Sequence, residues 1–258
     1  MNNNKKDKRI GEEKYNSQGY LMKIIEYNNV NDMTVEFQDK YKARINTRYS
    51  HFSNGDIKNP YHPDLYNVGI NGNKYPSRKN GQKTKEYRAW SGILARCYDE
   101  KYREENQSYK EVTCCKEWLL FENFYEWLHS QENFDKWLSG EWWAVDKDIL
   151  VKGNKIYAPE MCSLVPPNIN GLFTKCDKSR GELPIGVSKH RKKYRAGISI
   201  NKHHIILPVR NTVEEAFIDY KNIKEENIKK IAQEEYNKGN ITKKCYEAMM
   251  RYEVEITD

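Results

Sequence analysis

Three consecutive charged residues, Asp146, Lys147 and Asp148, follow a short apolar run in EWWAVDKDILVKGNKIYAPEMCSLVPPNIN, residues 141–170. Carboxylates are the oxygen donors that a hard cation such as Mg²⁺ prefers. Hydrolytic chemistry would also need a general base, and histidine supplies one near neutral pH. No histidine occurs between His129 and His190. Lys147 is cationic and accepts no proton without a large downward pKa shift, and an aspartate is a poor base unless it is desolvated. The plainer reading of the triplet is a charged strand end held by local salt bridges.

The 258 residues allow one large domain or several small modules. Charged residues make up 31% and apolar ones 38%, polar for a globular chain, but 12% aromatics argue against disorder. The net charge of +7 is uneven: +7 over residues 1–90, −4 over 91–182, +5 over 183–221 and −1 beyond. A polyanion is attracted to both flanks and not to the acidic middle. No apolar run is long enough for a transmembrane helix, and the charged start MNNNKKDKRIGEEK lacks the core of a secretory signal. Membrane partners are therefore not expected. Six cysteines (Cys97, Cys114, Cys115, Cys162, Cys176, Cys245) without a C-x-x-C pair read as free thiols in a reducing cytoplasm.

Periodicity predicts an α+β chain. Residues 1–14 read as a loose tail. YLMKIIEY, MTVEF and YKARINT alternate as three short strands, a small antiparallel β-barrel-like module over 1–55. Lys40, Lys42, Arg44 and Arg48 would be its place for nucleic-acid contact. Residues 56–85 read as an extended but docked linker. Tyr87, Trp90, Ile93, Leu94 and Cys97 share a helix face, and a second amphipathic helix is predicted over about 116–129. After residue 182, IGVSKH, KYRAGISI and HHIILPV read as three strands. Thr212 and Glu215 then form a capping box. The helix they start is predicted to bury Val213, Ala216, Phe217, Tyr220, Ile223, Ile228 and Ile231 and to stop at Gly239. A short helix over 242–251 follows.

The last unit carries Gly186-Val187, Tyr194, Ala196, Ile198, Leu207, Thr212, Glu214-Glu215-Ala216 and Tyr220 in order. This pattern resembles the Apetala-type (ethylene-response-factor) DNA-binding domain over about 40 residues, here 183–222. It departs at Pro208, where the family has Gly, and at Arg210, where an aromatic is usual. The resemblance implies a sheet lying in the DNA major groove with a helix behind it. Strand alternation turns Tyr194, Ala196, Ile198 and Ile200 toward the helix and Arg195, Gly197 and Ser199 outward, with Ser188 and His190 if Val187 points in. Arg191, Lys192 and Lys193 then lie near phosphate. The candidate nucleic-acid-binding set is Ser188, His190, Arg191, Lys192, Lys193, Arg195, Ser199 and His204. Ser188 stands where an arginine is common, so weaker base discrimination is expected, since each good arginine–guanine pair contributes about 1–3 kcal/mol.

Asp146-Lys147, Gly153-Asn154, Ala158-Pro159-Glu160-Met161, Leu164-Val165 and Asn168/Asn170 resemble the ββα-metal core of HNH endonucleases, here a central domain over 86–180 with flanking helices. That family has Asp-His where this chain has Asp146-Lys147. The resemblance implies Asp146 and Asp148 as metal ligands and Asp146, Asp148 and Asn170 as catalytic residues if the core is active. Mg²⁺ would then be the cofactor. With Lys147 in place of the base, a degenerate core that does not cleave is expected. Both units together resemble phage-encoded homing-type proteins. The expected function is a phage-type protein in the host cytoplasm that binds double-stranded DNA. The alternatives are an active Mg²⁺-dependent endonuclease, with a base at His129, His190, His203 or His204, and a phage protein that docks on a host protein. Residues 223–258 are read as C-terminal helices.

Overall fold

A computed structural model of the chain describes residues 8–173, 182–200 and 203–258. The chain divides into two compact units, Met1–Trp127 and Leu128–Asp258. That boundary runs through the span 86–180 expected to form one central domain. The fold is α+β, as the periodicity predicts.

In the first unit, Glu13–Tyr15, Leu21–Asn29, Asp32–Phe37 and Arg44–Thr47 form an antiparallel meander in chain order. Met22, Ile24, Met33, Val35 and Phe37 are fully buried on one face. A bulge between Ile24 and Glu26 resets the alternation and brings Tyr27 to that same side. Phe52, from the short helix Tyr49–Asn54, closes this core. The first strand begins in the last two residues of what reads as tail. It is a three-residue exposed edge and leaves no apolar signature.

The linker is docked, as its apolar residues require. The Glu122 carboxylate accepts the Asn73 amide (2.9 Å), the Lys74 amide (2.8 Å) and the Tyr61 hydroxyl (3.1 Å). Burial, reinforced by Glu122, pushes the Tyr61 phenol up to about 12. Helix Lys85–Tyr98 is capped by Thr84 and buries Trp90, Ile93, Leu94 and Cys97. The next predicted helix is broken: a single turn at Glu117–Leu119, an extended Leu120, then helix Phe121–His129.

In the second unit, Ala144–Asp146 and Ser163–Val165 pair antiparallel, with Asp146 opposite Ser163, and helix Pro167–Asn170 follows. Val187–His190, Lys193–Ile200 and His203–Arg210 form a three-stranded antiparallel sheet in chain order. The 25-residue helix Val213–Asn237 packs on its inner face. This helix passes uninterrupted through residue 222, so the expected boundary between the sheet unit and the C-terminal helices does not exist. The capping box is formed: Thr212 Oγ1 accepts the Glu215 amide (3.2 Å), and Glu215 Oε2 accepts the Thr212 amide (3.3 Å). The helix ends at Asn237, and Gly239 follows at φ 65°. Ala216, Phe217, Tyr220 and Ile228 are buried as expected, and Val213, Ile223 and Ile231 only in part. Ala232 and Glu235 are also buried. Alone, burial would raise the Glu235 carboxyl, but hydrogen bonds from Asn240, Lys238 and Asn168 hold it below its ordinary value.

One core spans this unit. Ala196, Ile198 and Leu207 of the sheet meet Phe217 and Tyr220 of the long helix, and the same cluster takes in Val165, Ile169, Cys245 and Met249. Gly186 is the tight point. Its φ is +75°, and a Cβ there would stand 2.1 Å from Tyr220 Cδ2. Gly186→Ala is expected to cost about 2–5 kcal/mol, the sum of a left-handed alanine and an overpacked ring. Chemical denaturation measures it; a loss below about 1 kcal/mol would show that the packing around Tyr220 is slack.

Candidate nucleic-acid interface

The sheet has two unlike faces. Ala196 and Ile198 point to the helix and are buried. The register sets Ser188 opposite Arg195, His190 opposite Lys193 and Ser199 opposite His204. Partners across a ladder share a face, so six of the eight expected residues form three cross-strand pairs on the side away from the helix. The other two, Arg191 and Lys192, form the two-residue turn between the first and second strands. Arg191 holds φ 58°, a conformation that ordinarily falls to Gly or Asn.

Arg191, Lys192, Lys193 and Arg195 form no ion pair among the described residues. The Ser188 hydroxyl reaches the Arg195 carbonyl at 3.4 Å, and Ser199 Oγ lies 3.3 Å from His204 Nδ1. The His204 ring lies over Gly197, where a Cβ would meet it at 3.0 Å. By contrast, Arg210 is committed. Its guanidinium grips Asp219 of the long helix through two bonds of 2.7 and 3.1 Å and straps the edge strand down. Pro208 lies at a bulge, where Arg195 and Gly197 pair with Val209 and Ile206. An edge strand at a bulge is where a residue without an amide proton fits. The two departures from the resemblance thus have local structural reasons.

Strand alternation alone puts Ile206 and Val209 on opposite faces. The bulge puts both on the outer face, beside Arg195 and Gly197. Pro208 was the available signal for this, and only the register converts it into a facing.

The Asp146 loop has a different character. Asp146 Oδ1 accepts the amides of Asp148 (2.8 Å) and Ile149 (2.9 Å), which ties the turn after the strand. Burial raises the Asp146 carboxyl, against the pull of those two amides and of Lys147. Lys147 is buried, and its Nζ donates to Asp148 Oδ2 (2.6 Å) and to the Asn154 carbonyl (3.2 Å). Asn154 Nδ2 returns bonds to the carbonyls of Lys147 and Ile156, both at 2.8 Å. The Lys147 ammonium therefore stands against Asp148 where a metal would have to approach. Cys245 lies in the same core; burial, reinforced by Asp146 and opposed by Ser163, pushes its thiol up to about 12.

The residues do not fit Mg²⁺ as a pair of ligands: one Asp146 oxygen serves the backbone and one Asp148 oxygen serves an ammonium. Asn170 is exposed on its short helix. His129 packs on the Phe134 ring, while His190, His203 and His204 lie on the sheet. Among the described residues no group of three His, Cys, Asp or Glu is arranged to hold a metal. Cys97, Cys114, Cys115, Cys162 and Cys245 form no disulfide among the described residues, and Cys176 lies outside them. No helix among the described residues is long and apolar enough to cross a membrane. In the N-terminal module, Arg44 is bonded to Glu36 (2.9 Å), Lys42 to Gln38 (3.1 Å), and Lys40 lies over the Tyr41 ring. The chain matches no known protein family, no characterised protein and no solved structure.

Asp146→Asn tests the structural role of the carboxyl. Its raised pKa means the folded state holds the proton longer than the unfolded chain. Stability contributed by this group is present below the ordinary carboxylate range and is lost as pH rises through the folded value. Asparagine keeps the acceptor for both amides and has no proton to lose. The variant is expected to be at least as stable as the parent at pH 7 and to lose that pH slope in denaturation curves. Asp146→Ala strands the two amides and is expected to cost about 1–3 kcal/mol. Equal destabilisation by Asn and Ala would contradict this role.

Proposed function

We propose that this chain binds double-stranded DNA through the outer face of its C-terminal sheet, with the Asp146 segment serving as scaffold and not as a catalyst. The observation that carries the reading is the set of four cations, Arg191, Lys192, Lys193 and Arg195, held without ion pairs among the described residues, on and beside one face of a sheet whose other face is committed to the core. Four neighbouring cations without ion pairs among the described residues maintain a field that attracts phosphate. A three-stranded sheet is also a shape that can enter a major groove, as β-ribbon readers do. The resemblance of residues 183–222 to Apetala-type domains supports the same assignment. The resemblance of residues 141–170 to an HNH core, with Lys147 in place of its histidine, is the basis for reading the chain as a phage-type relative of homing nucleases that has given up cleavage.

In this reading the cations divide by role. Lys193 and the turn residues Arg191 and Lys192 contact phosphates, which position the protein and carry no sequence information. Arg195, at the centre of the sheet, is the one guanidinium placed to reach a base edge, and guanine is its preferred target. Ser188, Ser199 and His204 line the rest of the face with short polar groups that suit water-mediated contacts.

A gel-shift titration with linear and supercoiled duplexes tests the reading. The Lys193→Ala/Arg195→Ala double variant is expected to bind about 10- to 100-fold more weakly. Its affinity should also depend less steeply on salt, by roughly one unit of slope for each phosphate that the variant no longer neutralises. The DNA should remain intact with Mg²⁺ or Mn²⁺ present. Unchanged affinity in the double variant would contradict the interface, and metal-dependent nicking abolished by Asp146→Ala would contradict the scaffold role.

A further inference from the structure

The outer face of the sheet is not uniformly polar. Val209 pairs directly opposite Arg195, and Ile206 directly opposite Gly197. The two residues leave 44% and 58% of their surface exposed. Neither packs on the core behind the sheet, which is built from Ala196, Ile198 and Leu207 on the other face. A solvent-facing strand position has no packing need for an aliphatic group, and two of them beside a cluster of cations form a mixed surface. Its occupant should carry negative charge and expose small apolar groups at the same depth.

Duplex DNA meets both requirements. Its major groove is bordered by phosphates, and the thymine C5-methyl is the apolar group exposed on a base edge there. Double-stranded RNA carries uracil without that methyl, and its major groove is too narrow for side chains to read. A purely protein partner would account for the aliphatic pair but not for the four cations around it that have no ion pair among the described residues.

We propose that Ile206 and Val209 read thymine methyl groups next to the base edge read by Arg195. This rests on the DNA-binding reading above and adds its base preference. Val209 lies across the ladder from Arg195. Ile206 is its diagonal neighbour, about 7–8 Å away at the backbone, a span of about two base-pair steps. The absent side chain at Gly197 leaves Ile206 standing clear of the strand beside it, with the His204 ring over the gap. The recognised site is therefore a guanine with thymines within two steps of it.

The test begins by enriching duplexes bound by the full chain from a randomised pool. The enriched sequences are then resynthesised with deoxyuridine in place of thymidine. This removes the C5-methyl and leaves the pairing and the phosphates unchanged. Thymidine duplexes are expected to bind about fourfold more tightly for each methyl buried. In the Ile206→Ser/Val209→Ser variant, whose side chains carry no methyl, both forms should bind alike, at about the affinity the parent shows for deoxyuridine duplexes. A thermal melt checks that the variant is folded. Equal binding of both forms by the parent would overturn methyl reading while leaving DNA binding intact. A thymidine preference that persists in the folded variant would overturn the assignment to these two residues. Failure of the parent to enrich or bind any duplex would overturn both this inference and the reading beneath it.

Discussion

The second unit depends on one packing constraint: the inner face of the C-terminal sheet must be covered, and a single long helix covers it. Ala196 and Ile198 turn inward against Phe217 and Tyr220, and the same helix continues to Ile228 and Ala232. Burying each large aliphatic or aromatic side chain contributes roughly 1.5–3 kcal/mol. Reversing the sheet by one residue would expose that whole set. The register is therefore fixed by the core, and the facing of every other residue follows from it. Arg195, Lys193 and Ser199 point outward because Ala196 and Ile198 cannot.

The Asp146 segment shares that core through Ile149, Val165 and Ile169, and its polar residues meet a different demand. A buried ammonium requires a carboxylate and further hydrogen bonds to offset its desolvation. Lys147 finds them in Asp148 and the Asn154 carbonyl, while Asn154 and Asp146 tie the two ends of the loop. Asp146, Lys147, Asp148 and Asn154 each have a structural partner, so the loop is tied as a network. A site that handles a metal and a water needs the opposite arrangement, with donor atoms aimed into open space.

Much of this was legible in the sequence, and the failures have physical causes. Period-two alternation gave the facing of Tyr194, Ala196 and Ile198 because the middle strand of a covered sheet has one dry side. The capping box at Thr212 and Glu215 was readable because it is a local interaction. The facing of Ile206 and Val209 was not, since a bulge shifts the alternation and only pairing to a neighbouring strand reveals it. The strand Glu13–Tyr15 was missed because a short exposed edge has no apolar pattern. The boundary expected at 222 came from the extent of the resemblance and not from the periodicity, which already carried the helix on to Gly239. In the Asp146 segment the sequence showed that a base was lacking, while the hydrogen bonds that occupy its carboxylates required coordinates.

Amide hydrogen exchange on the full chain, with and without duplex DNA, tests the central claim most directly. Binding on the outer face predicts slower exchange across the three strands between Ser188 and Val209, including the turn at Arg191 and Lys192, with the loop from Asp146 to Tyr157 unchanged. Protection of the Asp146 loop with the sheet unaffected would contradict the account and point to that segment as the working site.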